Sequence, residues 1–123
     1  MTASNPGQSL DAVTSAGDGD TIQLVAATDG TQNLPRTLSL VAVVSGWEST
    51  YDDSQISAYP YASLVLEASL DGTNFVPVGY AVAGGDGNYK VSADFPAAYA
   101  RASLATLDDR ITAITVTAYV GGG

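Results

Sequence analysis

Neither cysteine nor histidine occurs anywhere in the 123-residue chain. That excludes a thiol nucleophile, imidazole acid–base catalysis, a Ser-His-Asp triad and any metal site built on Cys or His ligands. It also leaves the fold without a disulfide. Basic residues are almost as scarce. Arg36, Lys90, Arg101 and Arg110 stand against 13 acidic residues, for a formal net charge of −9. A protein that grips a phosphate backbone draws its affinity from Lys and Arg that displace counterions, so neither nucleic acid nor an anionic membrane is an expected partner. No apolar run approaches the roughly 20 residues that a membrane-spanning helix requires. The opening MTASNPGQSL has no basic or apolar segment of a secretory signal, and no Asn is followed by the glycosylation spacing. The expectation is a soluble chain made in a cytoplasm.

What is present favours strands. Hydrophobic residues make up 46% of the chain, mostly Val, Ala, Leu and Tyr with Thr and Gly between them. Apolar residues alternate with polar ones in short runs, each closed by a turn signal. Ile22, Leu24 and Ala26 end at Asp29-Gly30. Leu38, Leu40, Ala42 and Val44 end at Gly46. Leu64, Leu66, Ala68 and Leu70 end at Asp71-Gly72. Phe75 to Val82 contains Pro77, which argues for an edge or a bulge. Tyr89, Val91, Ala93 and Phe95 end at Pro96, and Ala98, Ala100, Ala102, Leu104 and then Ile114, Val116, Ala118, Val120 complete the series. These runs predict an all-β chain: one antiparallel β-sandwich, jelly-roll-like, of about seven to eight strands. Leu38, Leu40, Leu64, Leu66, Val91, Phe95, Leu104, Ile114 and Val116 are its expected core.

Two segments stand apart. Residues 1–20 are rich in Ser, Thr, Ala, Gly and Asp, and read as an extended N-terminal arm that precedes a sandwich domain over 21–123. From Gly46 to Tyr61 the chain reads GWESTYDDSQISAYPY, a connection longer than compact domains usually carry. It holds the single Trp and three of the seven Tyr. Trp47, Tyr51, Tyr59 and Tyr61 are therefore candidate partner-binding residues, because Trp and Tyr dominate interface hot spots. The competing reading folds Trp47 back as a plug over an open end of the sandwich.

The carboxylates suggest geometry rather than chemistry. Glu48 and Glu67 are the only glutamates, and most Asp residues sit beside Gly or in pairs, where Asp caps a turn. Asp71-Gly72 is read as a structural turn between two strands, with Gly accepting a positive φ. Asp18-Gly19-Asp20 is oxygen-rich, but an EF-hand beginning at Asp18 needs Gly where Gln23 stands. GGDGN at Gly84–Asn88 lacks the Lys and helix of a phosphate-binding loop. No catalytic residue, cofactor or metal is expected, and the chain is not expected to be an enzyme.

The segments LVLEASLDGTNFVPVG, YARASL and ITAITVTAYVGGG resemble a pattern of phage virion proteins. In these, an "EgSlDGtnw" strand leads through a hairpin and an "aryvRv-l" strand to a last strand rich in Thr and Val. Such proteins include small β-sandwich capsid decoration proteins and domains of tail and head-fibre proteins. The resemblance runs from Leu64 to the end of the chain, with Phe75 where Trp is common and Ala100 and Ala102 where Val is common. It implies a structural virion protein that binds and reinforces the outer surface of a capsid. The implied partners are the major capsid protein, or another shell protein, and copies of the chain itself, with a trimer the expected form. A Ser-Leu-Asp-Gly hairpin also occurs in carbohydrate-binding sandwiches. A glycan-binding module using Trp47, Glu48, Tyr51, Asp52 and Gln55 is the alternative.

Overall fold

A computed structural model describes residues 7–24, 34–50 and 60–122. Every element in them is a strand: β1 (Gly7–Val13), β2 (Gly17–Asp18), β3 (Ile22–Gln23), β4 (Thr37–Ser49), β5 (Ala62–Ser69), β6 (Val76–Ala83), β7 (Gly87–Asp94), β8 (Tyr99–Leu107) and β9 (Ile111–Gly122). They form two packed antiparallel sheets, ordered β1-β9-β4-β7 and β2-β8-β5-β6, with β3 also on β8. The pairing is nested. The first strand lies against the last, β2 and β3 against β8, β4 against β7 and β5 against β6. Among the described residues no helix is long and apolar enough to cross a membrane.

Period-two alternation places the core. Leu38, Leu40, Ala42 and Val44 of β4 face Leu64, Leu66 and Ala68 of β5 across the interior, joined by Leu104, Ile114, Val116 and Val120. One expected member differs: Phe95 is only half-buried at the core margin. Leu70, which closes the alternating run of β5, lies beyond the end of that strand and is 62% exposed. β6 is an edge strand with a register shift beside Pro77, where proline's missing N–H would otherwise break the ladder.

The described part of the arm expected over 1–20 is instead part of the sandwich. β1 pairs with β9, and Leu10 and Ser9 are buried. Ser9 ties this edge together: its hydroxyl donates to the Asp20 carbonyl (2.7 Å) and accepts from the Ala102 N–H (2.8 Å). The Gly19 N–H donates to the Ala102 carbonyl (2.7 Å) and the Asp20 N–H to the Ser9 carbonyl (2.7 Å). Alternation fails as a signal here because β1 has two register shifts, with Ala12 at φ 50° inside the second. The domain boundary at residue 20 thus has no counterpart in the strand order. Residues 1–6 lie outside the described residues.

Candidate partner-binding surface

Trp47 is not in a loop. β4 continues past Gly46 to Ser49, and Gly46 (φ 65°) makes a bulge: Ser45 lies opposite Thr115 but Glu48 opposite Ala113. An extra residue inverts the phase of a strand, so a side chain due to face solvent is turned inward. Trp47 accordingly packs, half-buried, against the core. The bulge's free Trp47 N–H donates to Asp86 Oδ1 (2.9 Å), and the Tyr89 hydroxyl to the Gly85 carbonyl (2.8 Å). The GGDGN segment therefore caps a bulge. Trp47→Ala is expected to cost about 2–3 kcal/mol of stability, below the range for fully buried Trp, measured by chemical denaturation. Tyr51 and Tyr59 lie outside the described residues, as do Asp52 and Gln55 of the glycan set. Glu48 is exposed beside Trp47.

Asp71 and Gly72 organise a six-residue connection, Leu70 to Phe75, longer than a two-residue hairpin turn. Gly72 has φ 82°. The Asp71 carboxylate accepts from the Thr73 and Asn74 N–H groups (2.8 Å each), the Asn74 amide (2.7 Å) and the Ser69 hydroxyl (2.9 Å). The Asn74 and Thr73 N–H groups, followed by the Asn74 and Ser69 side chains, hold its pKa well below the ordinary carboxylate range. Asp108, in the turn from β8 to β9, is lowered to about 2, first by side-chain and then by backbone hydrogen bonds from Arg110. The Arg110 Nη2 lies 2.8 Å from Asp108 Oδ2. A carboxylate with a depressed folded pKa adds stability above its unfolded value of 3.8, and that stability is lost as pH falls towards the folded value. The melting temperature is therefore expected to fall between about pH 4 and 2, and less steeply in Asp108→Asn.

Glu67, Phe75, Arg101 and Asp18 meet at one place on the outer face of the β5–β8 sheet. Arg101 Nε donates to Glu67 Oε1 (2.7 Å), its Nη2 lies 3.3 Å from Asp18 Oδ2, and its guanidinium sits 4.0 Å above the Phe75 ring centre. Arg101 thus ties the connection after β5 to β8, which is a structural task. Among the described residues, no three of His, Cys, Asp and Glu are placed to share a metal ion.

Of the seven large apolar side chains left exposed among the described residues, five lie on or beside β5 and β6: Tyr61, Leu70, Val76, Tyr80 and Val82. Their concentration distinguishes this flank from the rest of the surface, where single exposed apolar residues are ordinary. Register sets Tyr80 beside Val65 and Val82 beside Ser63, and Tyr61 follows in the same phase one residue before β5. The Tyr61 carbonyl accepts from the Asp108 N–H (3.1 Å), which fixes its backbone and leaves the residue 42% exposed. Of the expected aromatics, the structure brings Tyr61 to this surface and turns Trp47 away from it. Sequence reasoning passed over Tyr80 and Val82, though their phase, opposite to Ala81 and Ala83, was the signal. No protein-family model, curated protein or solved structure matches the chain.

Proposed function

We propose that the chain is a non-enzymatic structural protein of a virion, a capsid decoration protein that binds the outer surface of the shell in many copies. The observation that carries the reading is the uncharged aromatic–apolar flank of Tyr61, Val65, Tyr80 and Val82 on a domain of net charge −9. Such a flank suits a protein surface better than a nucleic acid or an anionic membrane, which require positive charge. The nested pairing supports reading the sandwich as a jelly roll once β2 and β3 count as one strand. That architecture serves viral capsid and lectin domains alike. The meeting of Glu67 and Arg101 supports the virion side of that pair, since these two residues match the resembling pattern, with Phe75 against Arg101 where that pattern commonly has Trp. Because fold alone does not assign function, the test is binding. Purified protein should sediment with virion shells that lack it, and should do so less well as Tyr61→Ala.

A further inference from the structure

We propose that Asp108 and Arg110 form a positioning clamp, which ties Tyr61 and Thr50 to the turn between β8 and β9 and so presents Tyr61 at the surface. That Tyr61 then docks on a shell rests on the shell-binding reading. The clamp itself stands on its own geometry.

Asp108-Asp109-Arg110 has no Gly or Pro to set its turn, and its two adjacent carboxylates repel. Side-chain pairing sets the turn instead. Asp108 Oδ1 accepts from the Arg110 N–H (2.9 Å) and Nε (3.0 Å), and Oδ2 accepts from Nη2 (2.8 Å). A two-pronged guanidinium–carboxylate pair fixes orientation as well as distance. Both side chains are largely covered, 13% and 27% accessible, so water and salt screen the pair less than they would on an open surface. The Ile111 N–H donates to the Asp108 carbonyl (3.0 Å) and closes the turn.

This turn crosses between the sheets, since β8 lies in one and β9 in the other. Its backbone reaches a strand end in each. The Asp108 N–H donates to the Tyr61 carbonyl (3.1 Å), and the Arg110 carbonyl accepts from the Thr50 N–H (2.9 Å) and hydroxyl (3.4 Å). Thr50 follows the last residue of β4. Tyr61 precedes the first ladder pairs of β5, which join Ala62 to Ala83 and to Leu107. Both residues therefore lie where the ladders no longer hold the chain, and strand ends fray unless something else ties them. Neither clamp residue belongs to the core cluster, so loosening the pair frees this end of the sandwich without opening its interior.

Arg110→Lys tests the clamp, because it keeps the net charge of −9 and removes the fork. Hydrogen exchange is followed on the full chain with no shell present. The Asp108 and Thr50 amides should exchange about tenfold faster or more, with the Leu66 and Val116 amides unchanged. Asp108→Ala, which breaks the pair from the other side, should give the same local change. Co-sedimentation with shells that lack the protein should weaken about two- to tenfold in Arg110→Lys, the cost of re-ordering one side chain on binding. In a Tyr61→Ala background the same substitution should weaken it no further. Unchanged exchange at Asp108 and Thr50, or faster exchange spread evenly over the core amides, would overturn the clamp. A loss of affinity that persists in the Tyr61→Ala background would overturn its action through Tyr61. If the wild-type chain binds no shell, the shell-binding reading fails and the exchange result alone decides the clamp.

Discussion

Gly19→Ala is expected to destabilise the domain by roughly 3–5 kcal/mol, from overpacking against backbone and the loss of two buried hydrogen bonds. A Cβ on Gly19 would fall on the Ser9 carbonyl oxygen, 2.6 Å from the Ser9 hydroxyl and 2.8 Å from the Ala102 carbonyl. Two of the three atoms in its way are backbone, so no rotamer change relieves the clash. Moving the chain outward instead would break the Gly19–Ala102 and Asp20–Ser9 hydrogen bonds and expose Ser9, which is 3% accessible. For a domain whose whole stability is on the order of 5–15 kcal/mol, that loss is large. Gly84 offers the control: a Cβ there meets nothing within 4 Å, and Gly84→Ala should change stability by less than about 0.5 kcal/mol. Urea unfolding of both variants checks the pair. Equal midpoints would mean that residues 7–20 are the dispensable arm their composition suggests, rather than a strand that closes the sandwich.

This prediction marks where the sequence was opaque. Strands β4, β5, β8 and β9 were legible because each has an apolar run that holds one phase, as at Leu38 to Val44 and Ile114 to Val120. β1 was hidden because a strand that bulges twice does not alternate. Ala12, whose φ of 50° is rare for a residue with a side chain, looks like any other alanine in the sequence. The same blindness misplaced Trp47. Gly46 reads as a strand terminator, but in the fold it inverts the phase and lets β4 run on to Ser49. The site was half legible. Tyr61 was singled out for its residue type, whereas Tyr80 gains its role only from lying on an edge that tertiary pairing defines.

If the flank of β5 and β6 is the docking surface, its aromatic anchors should dominate affinity. Tyr61 has two features of such an anchor: a backbone fixed through Asp108 and a ring costing little entropy to immobilise. Its truncation should weaken attachment by about 2–4 kcal/mol, roughly 30- to 1,000-fold. The fold should be almost untouched, because Tyr61 is not part of the core cluster. Trp47→Ala should show the opposite division, a lower melting temperature with attachment preserved in the fraction that remains folded.

The decisive measurement is a titration of virion shells lacking the protein with wild-type and Tyr61→Ala chains, read by co-sedimentation at a temperature where both are folded. The account predicts saturable binding of the wild type at a fixed number of sites per shell, and loss of at least about 30-fold in affinity for the variant. Equal binding of the two chains would contradict the assignment of the flank. A wild-type chain that binds no shell but is retained by a specific sugar would contradict the structural reading and put the glycan-binding one in its place.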